Sequence, residues 1–452
     1  MNKTLPLNQW LNAPRPDDTP IAWVDDRTWS LGELRHDVTV LVDVLHQQEG
    51  ERWALCFENS YLFIVALLAS LHAGKIPVIP GHSRVSLLKE QQALFSGVLS
   101  DQDLDYQGQL IVVTSMHTTG VFTPLPTVDD SRFVELFTSG STGTPRRVIK
   151  HIMSLEREAS LLATRLGDRL AGCSVVASVV PQHLYGLTFR IFLPMSLGLP
   201  LHAAMLYYAE QLTALANDRR YVFISSPAFL KRLDTELTPP SVAMLISAGG
   251  MLPWDDVKAT HRWLNVWPDE IYGSTETGIM AWRRRCDDIV PWLPFLDVTF
   301  RTQDDALWVN SPLIHEAEGL QLDDILHFDT DGLFSIAGRR GRVVKIEEKR
   351  ISLNEIERRL LELDGICEAA ALPMTKGGRQ GIGVLLVLNA DARSHWHQRG
   401  KKAQEFAWRR ALLPWLEPVA IPRYWRIIDE IPVNSMNKRV YAQLQELFHE
   451  NS

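Results

Sequence analysis

Apolar residues recur at helical spacing from Leu31 to Leu45 and again from Tyr61 to His72, predicting two helices with buried faces. Between and after them lie short apolar runs, Trp53–Phe57, Ile76–Ile79 and Leu110–Thr114, each bounded by Gly, Pro or polar residues. Ser174–Val180, Tyr221–Ser225 and Ala243–Ser247 repeat the theme. Short buried strands separated by helices predict a layered α/β fold. The most apolar stretch, Leu62 to Pro80, is interrupted by Ser70, His72 and Lys75. It reads as a buried helix running into a strand, not as a membrane span.

The pattern changes near residue 340. A polar stretch, Arg339-Arg340-Gly341-Arg342, precedes the strand-like Val343-Val344-Lys345-Ile346. Ser352 stands three residues before Glu355, a capping-box pattern that opens a helix from about Leu353 to Leu363. Strand-like Ala369–Leu372 and Gly383–Leu388 then lead to a Trp-rich helix. The expected architecture is a large N-terminal α/β domain of layered subdomains, residues 1–340, followed by a small mobile C-terminal α+β domain, residues 341–452.

Composition narrows the function. The chain has 452 residues, 46% hydrophobic and 22% charged, as in globular proteins with more than one core. Lys+Arg 46 against Asp+Glu 54 gives a net charge of −8, which argues against nucleic acid or an anionic membrane as the main partner. Cys56, Cys173, Cys286 and Cys367 lie far apart without a CxxC pair, so neither a disulfide framework nor a zinc site is expected. No signal-like apolar region opens the chain. A cytoplasmic protein without integral membrane association is expected.

Two segments carry candidate chemistry. Thr138-Ser139-Gly140-Ser141-Thr142-Gly143-Thr144-Pro145 follows the extended Phe133–Phe137 and combines hydroxyls with two glycines; Arg146 and Arg147 come next. Glycine lets the backbone approach an anion, and exposed N–H groups with hydroxyls can wrap phosphate oxygens. A surface loop has the same composition. The segment lacks the GxxxxGK[ST] pattern, which disfavours a P-loop NTPase. The second segment is Ile271-Tyr272-Gly273-Ser274-Thr275-Glu276-Thr277-Gly278. Tyr272 beside Gly273 can stack on a flat base, Ser274 and Thr275 can donate to phosphate, and Glu276 can hold Mg²⁺. A turn with a solvent-facing glutamate fits it too.

Together the two segments resemble the adenylate-forming (AMP-binding) superfamily: acyl- and aryl-CoA synthetases, luciferases and peptide-synthetase adenylation domains. The first resembles that family's phosphate loop, TSG[ST]TGxP followed by Lys-Gly, and the second its YGxTE motif. Further matches follow in order. Ser247-Ala248-Gly249-Gly250-Met251-Leu252-Pro253 is similar to the loop lining the adenine. Asp324 and Arg339 fall where the family binds the ribose hydroxyls. Lys349-Arg350-Ile351-Ser352 with Glu355-Ile356-Glu357 resembles the KRVSPxEIE segment. Ile431-Pro432 with Lys438 resembles the last motif, whose lysine is catalytic. His183, in Pro181-Gln182-His183-Leu184-Tyr185-Gly186, resembles the HxxG residue that gates the carboxylate pocket, although an apolar setting also suits a core histidine.

The resemblance implies ATP and Mg²⁺, with Glu276 as the metal residue and Lys438, Thr275, Glu276 and His183 as the catalytic set. It implies that a carboxylic acid is adenylated and then passed to the thiol of CoA or of phosphopantetheine. Departures bear on the second step. Arg146-Arg147 replaces Lys-Gly, Leu322-Asp323 replaces Thr-Gly, and Gly341 stands at the hinge. Met436-Asn437-Lys438 replaces Asn-Gly-Lys, and Glu347-Glu348 replaces the Gly-Gly that lines the pantetheine tunnel. Two carboxylates there would repel the phosphates of free CoA. The implied acceptor is therefore an acyl carrier protein in an aryl or short-acyl pathway, like those making aryl polyenes. The alternatives are an ordinary CoA synthetase and a silent protein that binds a nucleotide or acyl-adenylate. No aspartate stands near His183 to hold an amino group, which disfavours an amino acid.

Overall fold

The apolar runs become the central strands of two mainly parallel sheets. A computed structural model of the chain describes residues 4–115, 123–139, 145–304, 306–339, 343–346, 349–376, 379–416, 418–433, 439 and 441–449. The chain divides into two compact units, Met1–Phe300 with Val309–Leu320, and Arg301–Trp308 with Gln321–Ser452. The boundary expected between residues 340 and 341, and with it the hinge glycine Gly341, lies outside the described residues.

In the first unit, one sheet has six strands in the order Gln109–Val112, Gly97–Ser100, Arg52–Cys56, Ile76–Ile79, Phe133–Ser139 and Pro145–His151. All neighbours pair in parallel except the last two, which form an antiparallel hairpin. The other sheet has nine strands, and its centre is the parallel set Ser174–Ala177, Tyr221–Ser225, Val242–Ser247 and Asp269–Ser274. The strand expected over Ser174–Val180 stops at Ala177. Beyond it, the Val179 carbonyl accepts from Arg190 Nη1 at 2.8 Å.

The helix Ser60–His72 explains the interrupted apolar stretch. Asn59 Oδ1 caps it by accepting from the N–H groups of Tyr61 (2.9 Å) and Leu62 (3.2 Å), and every residue in it except Leu62 is buried. Ser70 and His72 are buried with the rest, and His72 Nδ1 pairs with the Pro126 carbonyl at 2.8 Å. A helix apolar all round at this length is a core element. Among the described residues no helix is long and apolar enough to cross a membrane. None of the four cysteines is bonded to another.

The second unit builds its core on a sheet ordered Ile366–Lys376, Arg379–Leu388 and Tyr424–Ile427. Strand alternation sends Ala369, Ala371, Val384 and Leu386 to one face, against Ile356 and Leu360 of the helix Leu353–Leu361. It sends Ala370, Leu372 and Leu385 to the other, against Leu444 of the helix Tyr441–His449. Ser352 caps the first helix as expected, its Oγ accepting from the Glu355 N–H at 3.2 Å. The single Trp-rich helix is in fact two, Ala390–Arg399 and Lys401–Leu412, broken at Gly400, whose φ of +83° is a glycine conformation. Trp408 stacks between Trp396 (5.6 Å) and Trp425 (5.5 Å).

Candidate active site

Parallel sheets place binding loops at the carboxyl ends of their strands. The register aligns Ala177 with Ile224, Ser225 with Ser247 and Ser247 with Glu270, so the first three strands finish at one edge and Asp269–Ser274 runs on beyond it. Serine recurs there: Ser178 and Ser225 hydroxyls lie 2.9 Å apart, and Ser247 and Ser274 close the next two strands. The Tyr185 hydroxyl lies 2.9 Å from the Ser225 carbonyl and 3.0 Å from that of Ile246, donating across two strand ends. Burial raises its pKa well above the ordinary phenol value, so it stays a protonated donor. Past Ser247 the chain turns through Gly249, whose φ of +92° requires glycine and whose Cβ position has no atom within 4 Å. Gly250 and Met251 are exposed there, leaving an open shelf where a flat base can lie.

The segment Tyr272–Gly278 forms the end of a hairpin between Asp269–Ser274 and Gly278–Arg284. Its turn is closed by its own hydroxyls: Thr277 N–H donates to Ser274 Oγ, and Ser274 N–H to Thr277 Oγ1, each at 3.1 Å. Gly273, Ser274, Thr275 and Glu276 remain at least partly accessible. The Tyr272 ring packs 5.7 Å from Trp292. Glu276 alone among these carries a carboxylate. Mg²⁺ keeps several waters and takes one or two carboxylates plus substrate phosphate oxygens, so an accessible single carboxylate beside two hydroxyl residues fits that ion.

Behind this turn stand two charged groups that the motifs did not mark. Lys150 is 5% exposed, and its Nζ donates to the main-chain carbonyl of Glu276 at 2.7 Å. Glu158, buried in the helix Ile152–Leu170, accepts from the Ile279 N–H at 2.7 Å and from Thr188 Oγ1 at 2.5 Å. The turn is therefore held on both flanks. Burial lowers the Lys150 pKa, opposed by the carboxylates of Glu158, Glu276 and Glu316. Burial raises that of Glu158, opposed by Thr188, Lys150 and the Ile279 N–H. A Cβ on Gly278 would meet Glu158 Oε1 at 2.9 Å, so the carboxylate leaves no room there for a side chain.

His183 is half-buried at the edge where the two sheets of the first unit meet. Its Cε1 lies 3.0 Å from where a Cβ on Gly81 would stand, and Gly81 follows the strand Ile76–Ile79 with φ +82°. Gly186, three residues on, faces the Val180 carbonyl so closely that a Cβ would lie 1.8 Å from its oxygen. Phe133–Ser139 and Pro145–His151 form the arms of the first motif, with Thr138 opposite Arg146. Gly140, Ser141, Thr142 and Gly143 lie outside the described residues. Of the two arginines expected to add charge there, Arg147 donates to the buried Glu135 at 3.3 Å, which Arg52 also reaches at 3.2 Å.

In the second unit, Asp324 and Arg339 are direct cross-strand partners in the hairpin Asp324–Phe328/Phe334–Arg339. Residues distant in sequence thus share one register position. Lys438, Glu347 and Glu348 lie outside the described residues.

Residues 82–295 match the family AMP-binding enzyme. Over this segment, just under half of its length, the chain is similar to AMP-binding enzymes. It is 26% identical over 235 residues to a 4-coumarate–CoA ligase of Cereibacter sphaeroides, spanning 52% of this chain and 54% of that one, about half its length. It is 25% identical to an L-proline–[L-prolyl-carrier protein] ligase of Streptomyces coelicolor, with 88% of each chain covered. Among solved structures, an ATP-bound RpMatB–BxBclM chimera superposes with a TM-score of 0.80 at 17% identity over 99% of both chains. A benzoate CoA ligase from Burkholderia xenovorans gives 0.74 at 18% identity, covering 97% of this chain and 99% of that one. At such identity these two establish the fold.

Lys150, Glu158 and Gly81 lie outside the sequence motifs. Lys150 carries no alternation signal in the sequence, since Val148 and Ile149 before it are both apolar; its burial, beside an Ile149 that is 42% exposed, is set by packing. Glu158 stands one turn after Leu155 and one before Leu162, on the buried stripe of its helix.

Proposed function

We propose that the protein is an AMP-forming acid–thiol ligase. In the first half-reaction a carboxylate oxygen attacks the α-phosphorus of ATP, releasing pyrophosphate and leaving an acyl- or aryl-adenylate. In the second, a thiol attacks the acyl carbon, forming a thioester and releasing AMP. The observation that carries the reading is the convergence, at one edge of the nine-stranded sheet, of the segments after Ala177, Ser225 and Ser247, with Glu270–Ser274 running on past that edge beside them.

In this reading the open turn at Gly249–Met251 and Tyr272 receive the adenine, and Asp324 with Arg339 receives the ribose. Gly140–Gly143, with Thr138 and Ser139, wraps the phosphates. Mg²⁺ held by Glu276 supplies counter-charge to the triphosphate. Lys438 bridges carboxylate and α-phosphate oxygens, offsetting the repulsion between two anions as they meet. His183 borders the carboxylate, and Tyr185, its O–H taken by the Ser225 and Ile246 carbonyls, ties two strand ends together.

The acceptor is read as the phosphopantetheine thiol of an acyl carrier protein, with free CoA as the competing acceptor. Support comes from Glu347-Glu348 in the sequence and from the carrier-protein ligase among the relatives. An aryl or short-acyl acid is favoured, and the protein is placed in the cytoplasm. Carboxylate-dependent ATP–pyrophosphate exchange tests the reading, using coumarate, benzoate, anthranilate, o-succinylbenzoate, malonate and proline. Exchange with an aryl or short acyl acid is expected. Nucleotide binding without exchange for any acid would instead identify a binding protein.

A further inference from the structure

The strongest feature outside this site is a face of the helix Lys401–Leu412. One side anchors it: Trp408 and Leu412 are buried, at 4% and 0% exposure. On the other side, Lys402, Phe406 and Leu413, with the adjacent Arg409 and Arg410 each three or four residues from Phe406 and Leu413, fall along one stripe. Phe406 is 69% exposed and Leu413 54%, and the three cations around them are exposed as well. Neither apolar side chain serves the core. They are separated by about two helical turns, ~10 Å along the axis, the span over which a single partner helix offers successive contacts.

Charge decides what fits this stripe. Residues 390–413 hold six Lys/Arg and two Asp/Glu, in a chain whose net charge is −8. A basic island on an acidic protein attracts an acidic patch of matching size. Two apolar side chains give little area to insert into a bilayer. A second copy of the chain placed symmetrically on this stripe would set Lys402, Arg409 and Arg410 against the same cations.

We propose that this stripe is the docking surface for an acidic amphipathic helix of the protein that presents the acceptor thiol. The inference rests on the thioester-forming reading above and names where its protein partner binds. Phe406 and Leu413 would enter the apolar groove of that helix, with Lys402, Arg409 and Arg410 meeting its carboxylates.

The test uses the full chain and a fluorescently labelled holo-acyl carrier protein of net negative charge. Binding is read by anisotropy, and thioester formation is read separately with the carrier and with free pantetheine. Arg409→Glu with Arg410→Glu should weaken carrier binding and raise the KM for the carrier by about tenfold or more, as expected when interfacial charges are reversed. Phe406→Ser should act in the same direction, and added salt should weaken wild-type binding. Pyrophosphate exchange and pantetheine kinetics should stay at wild-type values, which also shows that the variants fold. Equal carrier affinity in wild type and variants would overturn the proposal. So would binding of wild type to phosphatidylglycerol vesicles but not to the carrier, or self-association in sedimentation that the reversal abolishes. Absence of exchange with every acid would sink the ligase reading alone, because anisotropy still decides the docking surface.

Discussion

Replacing Lys150 by methionine removes the ammonium while keeping a stem of similar length in the buried site. What is lost is a 2.7 Å hydrogen bond to the Glu276 carbonyl from a side chain 5% exposed. Hydrogen bonds involving a charged group contribute about 1.5–3 kcal/mol. Part of that returns as stability, because methionine does not carry the desolvation cost that lowers the Lys150 pKa. The melting temperature should therefore move only modestly. The turn is different: its carbonyl loses a fixed donor, while Glu158 still holds the Ile279 N–H on the other flank. If the full 1.5–3 kcal/mol had held Glu276 in place for the transition state, kcat/KM for adenylation falls by about 10- to 100-fold. Pyrophosphate exchange over a Mg²⁺ titration measures this, and half-saturation should shift to higher Mg²⁺ with little change in the KM for the acid. Lys150→Arg should recover part of the loss. Wild-type kcat/KM and an unshifted Mg²⁺ dependence in a folded Lys150→Met protein would refute the bracing argument.

Lys438→Ala should reduce pyrophosphate exchange by about 100-fold or more while ATP still binds, as for loss of a group acting on transition-state charge; near wild-type exchange would remove this lysine from the chemistry. Gly186→Ala places a Cβ 1.8 Å from the Val180 carbonyl oxygen, and backbone on both sides cannot yield cheaply. The urea midpoint should drop by the equivalent of about 1–3 kcal/mol or more, and an unchanged midpoint would contradict the packing described. Burial lowers the pKa values of His72 and His202 below the ordinary 6.5, so the unfolded chain takes up these protons first as pH falls. The stability they contribute is complete above pH 6.5 and is lost as the pH falls from there through their folded values. Denaturation midpoints should therefore decline below that pH, less steeply in His72→Gln, and an equal slope in that variant would exclude His72 as a source.

The order of motifs and the alternation of short apolar runs with helices are local properties, and the sequence alone carried them. Tyr221–Ser225 and Ile76–Ile79 form the strands their apolar character demands, and Ser352 caps the helix it announces. Glycine positions were legible for a similar reason, since Gly249 sits where the backbone needs a positive φ. Asp324 and Arg339 were legible as separate residues, but their sharing of one register position belongs to strand pairing. The same holds for the serines at the strand ends, for Gly81 against His183, and for Lys150 and Glu158 gripping the two flanks of a turn more than a hundred residues away. Such contacts depend on which strands become neighbours and in what register, which only burial of both sheets fixes. A buried lysine in particular runs against its composition-based expectation: residue type predicts exposure, and the tertiary structure reverses that where a fixed carbonyl and nearby carboxylates compensate the lost hydration.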